Sequence, residues 1–150
     1  MAVENVKSDL YRDQSLGGNI PPALMAHGRI HTAIGTVTHD AAASAGSTYK
    51  LGEMPSYAIP HWDTVFEAAN WKFTDMRIGT KDDIAALVSQ TVATGNGVPI
   101  AQLDANHGKP LWEVLGLAAD PGGMITIYAH ANGAASAAGS MKFVLAWIDN

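Results

Sequence analysis

The chain contains no cysteine. That excludes a disulfide framework, a thiolate metal site and a cysteine nucleophile, and it leaves the redox compartment open. Charge is scarce too: Asp, Glu, Lys and Arg make up 15% of the 150 residues, against about 25% in an ordinary soluble domain. The 9 Lys and Arg are scattered singly in a chain of formal net charge −5, so there is no basic footprint for nucleic acid. No apolar run approaches the ~18 residues of a membrane helix. The opening Met1-Ala2-Val3-Glu4-Asn5-Val6-Lys7 lacks the basic-then-apolar pattern of a secretory signal, so synthesis in a cytoplasm is expected.

What is present is small. Apolar residues reach 47%, but alanine supplies a large share of them, and there are 15 glycines. Such a surface of Ala, Gly, Ser, Thr and Asn suits partial cover by neighbours. A mass of 15.7 kDa is one ordinary domain, able to bury roughly two-thirds of its unfolded surface.

Residues 1–26 differ from the rest. Leu16-Gly17-Gly18-Asn19-Ile20-Pro21-Pro22 continues neither a helix nor a central strand. The segment reads as an extended N-terminal arm or a disordered terminus; Val3, Val6, Leu10, Tyr11, Leu16 and Ile20 favour an arm that docks. Residues 27–150 then form the folded domain. Strands are expected over 29–38, 48–53, 60–68, 70–78, 98–103, 110–115, 124–130 and 141–147, from β-branched and aromatic alternation between turn signals. In the last two, Ile125, Ile127 and Ala129 share one face, as do Met141, Phe143, Leu145 and Trp147. One short helix is expected after Thr80-Lys81-Asp82-Asp83, a cap followed by Ile84, Leu87 and Val88 at helical spacing. The spacing of these elements predicts an all-β sandwich or barrel.

Residues able to do chemistry have simpler readings. His27 and His31 have the i, i+4 spacing of a helical metal site, but on a strand they stand about 13 Å apart. His39-Asp40 and His61-Trp62-Asp63 have no spacing that demands a metal, so surface or interface histidines are expected. Asp82 and Asp83 suit the first turn of a helix, and Asp63, Asp75, Asp104 and Asp120 suit strand ends and turns. No Ser lies in a nucleophile elbow, and Gly95-Asn96-Gly97 lacks the setting of a phosphate loop. No catalytic, cofactor-binding or metal-ligating residue is assigned, and no enzyme is expected. Trp62, Trp71 and Trp147 are expected in the core; Trp112 reads as a core plug or an interface anchor.

The order of elements carries a resemblance. Thr48-Tyr49-Lys50-Leu51-Gly52-Glu53-Met54-Pro55 precedes strands ending in Met76-Arg77-Ile78-Gly79-Thr80 with Asp82-Asp83. Then come Leu111-Trp112-Glu113, Asp120-Pro121-Gly122-Gly123, a strand, an Ala/Gly-rich connection through Ala138-Gly139, and a final strand. Over about residues 28–150 this is similar to capsid decoration (cement) proteins of tailed bacteriophages. The resemblance implies a jelly-roll-like antiparallel β-sandwich, a homodimer or homotrimer on the virion's outer surface, with the major capsid protein as partner. It implies no membrane, nucleic-acid or cofactor partner. The arm at residues 1–26 is not part of it, and its use as a clamp between neighbours is a separate expectation. The alternatives are a head-fibre or tail-associated protein, or a host-glycan-binding one using Trp62-Asp63 or Trp112-Glu113. The six His also leave room for a pH switch.

Overall fold

Alternating residues fold as strands at both ends of the described chain, residues 28–149 of a computed structural model. The expected arm, 1–26, lies outside the described residues. β1 (Arg29–His39) and β2 (Thr48–Pro55) are followed by the short β3 (Ile59–Pro60) and β4 (Val65–Phe66). β5 (Asp75–Gly79) and β6 (Val88–Thr91) form a hairpin. The chain closes with the short helix α1 (Leu111–Val114), β7 (Met124–His130) and β8 (Gly139–Asp149).

The result is an all-β sandwich of two antiparallel sheets with one short helix. One sheet runs β1-β8-β3 with β4 also on β8; the other runs β2-β7-β5-β6. β1 matches β8 along its whole length, from Arg29↔Asp149 to His39↔Gly139. The core lies between the sheets, where Met54, Phe66, Trp71, Met76, Ile78, Ile127, Met141 and Leu145 are almost wholly buried. Each such Leu, Ile, Phe or Met contributes about 1.5–3 kcal/mol of burial free energy.

Several expected elements are corrected. Residues 80–87 form a turn, although the expected cap bond is made: the Asp83 amide donates to Thr80 Oγ1 at 3.1 Å, and the Ala85 amide donates to Asp83 Oδ1 at 3.2 Å. A helix this short gains too little to offset nucleation. Val88–Thr91 instead pairs with β5, and the Leu87 amide donates to the Ile78 carbonyl at 2.9 Å. The helix is found in the expected 110–115 strand. There Pro110 supplies the helix entry and Gly116, at φ 72°, the exit. In 98–103 no strand forms; only Gly97 bridges to Phe66. The 70–78 strand shrinks to β5, because the buried face changes phase. Trp71 and Phe73 are buried, Thr74 is exposed, and burial resumes at Met76 and Ile78.

Candidate functional site

The 60–68 segment is one strand interrupted, and the interruption stands beside a concave part of the surface. Pro60 pairs with Trp147 and pairing resumes at Val65↔Val144, so His61–Thr64 spans only Ala146 and Leu145 of β8. The His61 amide donates to the Ala146 carbonyl at 2.9 Å, and the Thr64 hydroxyl closes the rest of the gap. Trp62 is thereby ejected to the surface, 42% exposed, with its ring 3.9 Å from that of the buried His61. This corrects its expected core position: the bulge reverses the alternation that would have turned it inward.

Beside the bulge a cavity of about 140 Å³ is lined by Ile59, Pro60, Trp62, Ile100 and Ile148, with His61 and His107 as its polar groups. The loop on its far side is held by Asp104, whose Oδ2 accepts the Ala101 amide at 2.9 Å and whose Oδ1 accepts the Asn106 amide at 2.7 Å. Within this loop Leu103 has φ 61° and is 83% exposed. Left-handed backbone costs a leucine about 1–2 kcal/mol, and here the side chain recovers nothing by burial.

The outer face of the β1-β8 sheet continues the apolar surface. Opposite residues share a face, so the register aligns Ile30 with Ile148, Thr32 with Ala146 and Ile34 with Val144. Ile59 and Val65 extend the rows on the far side of β8. Ile30 and Ile34 are exposed. The charges on this face, Glu67 and Lys142, lie towards one end, where Glu67 Oε2 accepts the Lys142 amide at 3.3 Å.

The remaining candidates are accounted for one by one. Of the six His, His27 lies outside the described residues and His31 stacks on Trp147, 5.9 Å between centroids. His31 and His107 are exposed, as expected, whereas His39, His61 and His130 are buried, which corrects the expectation for those three. His39 packs 4.5 Å from Phe73 and 5.1 Å from Trp71, and His130 Nε2 donates to the Thr80 carbonyl at 2.9 Å. Among the described residues no three His, Asp or Glu side chains gather into a metal-binding group. The aspartates serve their turns: Asp120 Oδ1 accepts the Gly122 amide at 2.8 Å, and Asp75 Oδ2 accepts from Asn132 at 3.0 Å.

Trp71 is buried and Trp147 half-buried against the core, as expected. Trp112 is half-buried on α1, and its neighbour Leu111 is the plug. The Leu111 amide ties that helix to the Ala58 carbonyl at 2.8 Å. No helix among the described residues is long and apolar enough to cross a membrane. No protein-family model, curated protein or solved structure matches this chain.

Proposed function

We propose that this chain is a capsid decoration protein, which binds the outside of a tailed-phage head as a dimer or trimer and stabilises the major capsid protein lattice. The observation that carries the reading is the outer face of the β1-β8 sheet. It is apolar, nearly free of charge, and bordered by a cavity that the exposed Trp62 helps to line. Such a face is suited to lying against another protein. The strand order adds support. With β3 and β4 counted as one interrupted strand and Gly97 as the remnant of another, the sheets run β1-β8-β3-Gly97 and β2-β7-β5-β6. Counted so, the order corresponds to B-I-D-G and C-H-E-F, which supports the reading as a jelly roll, an architecture frequent in viral capsids.

The role is mechanical, with no catalytic step. A ligand that binds only the expanded lattice stabilises it by RT ln(1 + [L]/Kd) per site, so many modest contacts suffice. The test is to incubate the protein with expanded capsids lacking it, sediment the shells and count copies per major capsid subunit. Saturation at a fixed stoichiometry with raised resistance to heat is expected; absence of co-sedimentation overturns the reading. A second reading, host-glycan binding, draws on the exposed Trp62 beside the exposed Asp63. Glycan binding lost in Trp62→Ala favours it, and absence of any glycan binding removes it.

A further inference from the structure

We propose that the open edge of β1 is the surface through which two copies of this chain associate, by antiparallel addition of β1 to β1. This deepens the self-association in the reading above, and its test needs no capsid. Among the described residues β1 pairs with β8 alone. Among those residues its second edge has no strand partner, and it carries backbone donors and acceptors along 11 residues. Protein edges are ordinarily blunted by Lys, Pro, a bulge or brevity. Arg29–His39 contains no Lys and no Pro, and its register with β8 is unbroken.

The sequence of β1 fits a second copy of itself. Consider a two-fold axis perpendicular to the sheet. The register that uses the whole strand sets Ile34, its middle residue, opposite Ile34 of the second copy. Ile30 then faces Thr38 and Thr32 faces Thr36, all β-branched and all on the outer face. A side chain that is 81% exposed in the single chain meets its equal across the axis.

On the inner face the same register sets Arg29 of one copy opposite His39 of the other, at both ends of the pairing. A register slip that keeps the faces in phase leaves two residues of each strand unpaired. The two sheets become one continuous sheet, and the apolar row of Ile30, Ile34 and Val144 is repeated across the axis. The contact is isologous and closed, so it stops at two copies.

Because the full chain has no cysteine, single cysteine variants report the register cleanly. Opposite residues of an antiparallel pair have Cα atoms about 4.5–5.5 Å apart, within the roughly 4.4–6.8 Å reach of a disulfide. Ile34→Cys is expected to form a disulfide-linked dimer on mild oxidation. Ile30→Cys alone does not, but mixed with Thr38→Cys it does. Ile34→Lys, at a site exposed in the single chain, is expected to convert a sedimenting dimer to a folded monomer whose thermal unfolding no longer depends on concentration. A full chain that sediments as a monomer overturns the inference. So does an oligomer that Ile34→Lys leaves intact and Ile34→Cys fails to link. A protein that fails these tests yet co-sediments with capsids loses the β1 interface and keeps the decoration role; the opposite result keeps the interface and removes the role.

Discussion

The Thr64 hydroxyl donates to the Ala146 carbonyl at 2.9 Å and accepts the Ala146 amide at 3.0 Å, taking the place of a strand residue in the ladder. All these groups are buried. Thr64→Val keeps the shape and removes both bonds, leaving the Ala146 amide without its acceptor. The expected loss is about 1–3 kcal/mol, read as a fall in the denaturant midpoint with unchanged slope. Thr64→Ser, which keeps the hydroxyl, is expected to lose less. A loss in Thr64→Ser as large as that in Thr64→Val would mean that the methyl group contributes as much as the two hydrogen bonds.

Gly35 lies directly opposite Phe143, and a side chain at Gly35 would collide with the Phe143 ring. The ring is 6% exposed and belongs to the core cluster, so it has little room to withdraw. Gly35→Ala is expected to destabilise by about 1–3 kcal/mol. Thermal unfolding measures it, and a neutral result would show that the ring moves freely.

The Ser56 hydroxyl and the Gly122 amide hold the Asp120 carboxyl below its ordinary value of 3.8. A carboxylate favoured in the folded state stabilises when ionised, so its contribution is present above pH 3.8 and is lost as pH falls through the lowered value. Asp120→Ala is therefore expected to lower the melting temperature near neutrality, with the difference from the parent shrinking in strong acid. A difference independent of pH would assign the effect to the turn backbone instead.

Leu103 combines left-handed backbone with 83% exposure, a conformation that glycine adopts without steric cost. Leu103→Gly is expected to leave thermal stability unchanged or slightly raised while weakening capsid co-sedimentation. A fall in stability with undiminished capsid binding would make Leu103 a residue of the fold rather than of the contact.

The strands at 29–39, 124–130 and 139–149 were legible because one face of each meets the core and the period of two survives along the whole strand. The cap at Thr80 was legible too, and its bond from the Asp83 amide to the Thr80 hydroxyl forms. What it could not announce is that the next residues gain more by pairing with β5 than by continuing a single turn of helix. The α1 helix carried its own signal, Pro110 before and Gly116 after. A strand reading of Leu111–Leu115 passed over it because so short a run has no visible helical period.

The candidate site was the least legible part. Trp62 stands in an alternating run that assigns it to the core, and only the two residues in excess over β8 turn it outward. Thr64 in sequence is one more strand threonine; its role as a ladder partner depends on Ala146, 82 residues away. By itself the sequence determined the all-β class and the buried faces of its last two strands, since local alternation is a property of neighbouring residues. Only the tertiary structure decided where pairing stops, because a bulge, an open edge and a cavity are each defined by what a distant strand leaves unmatched.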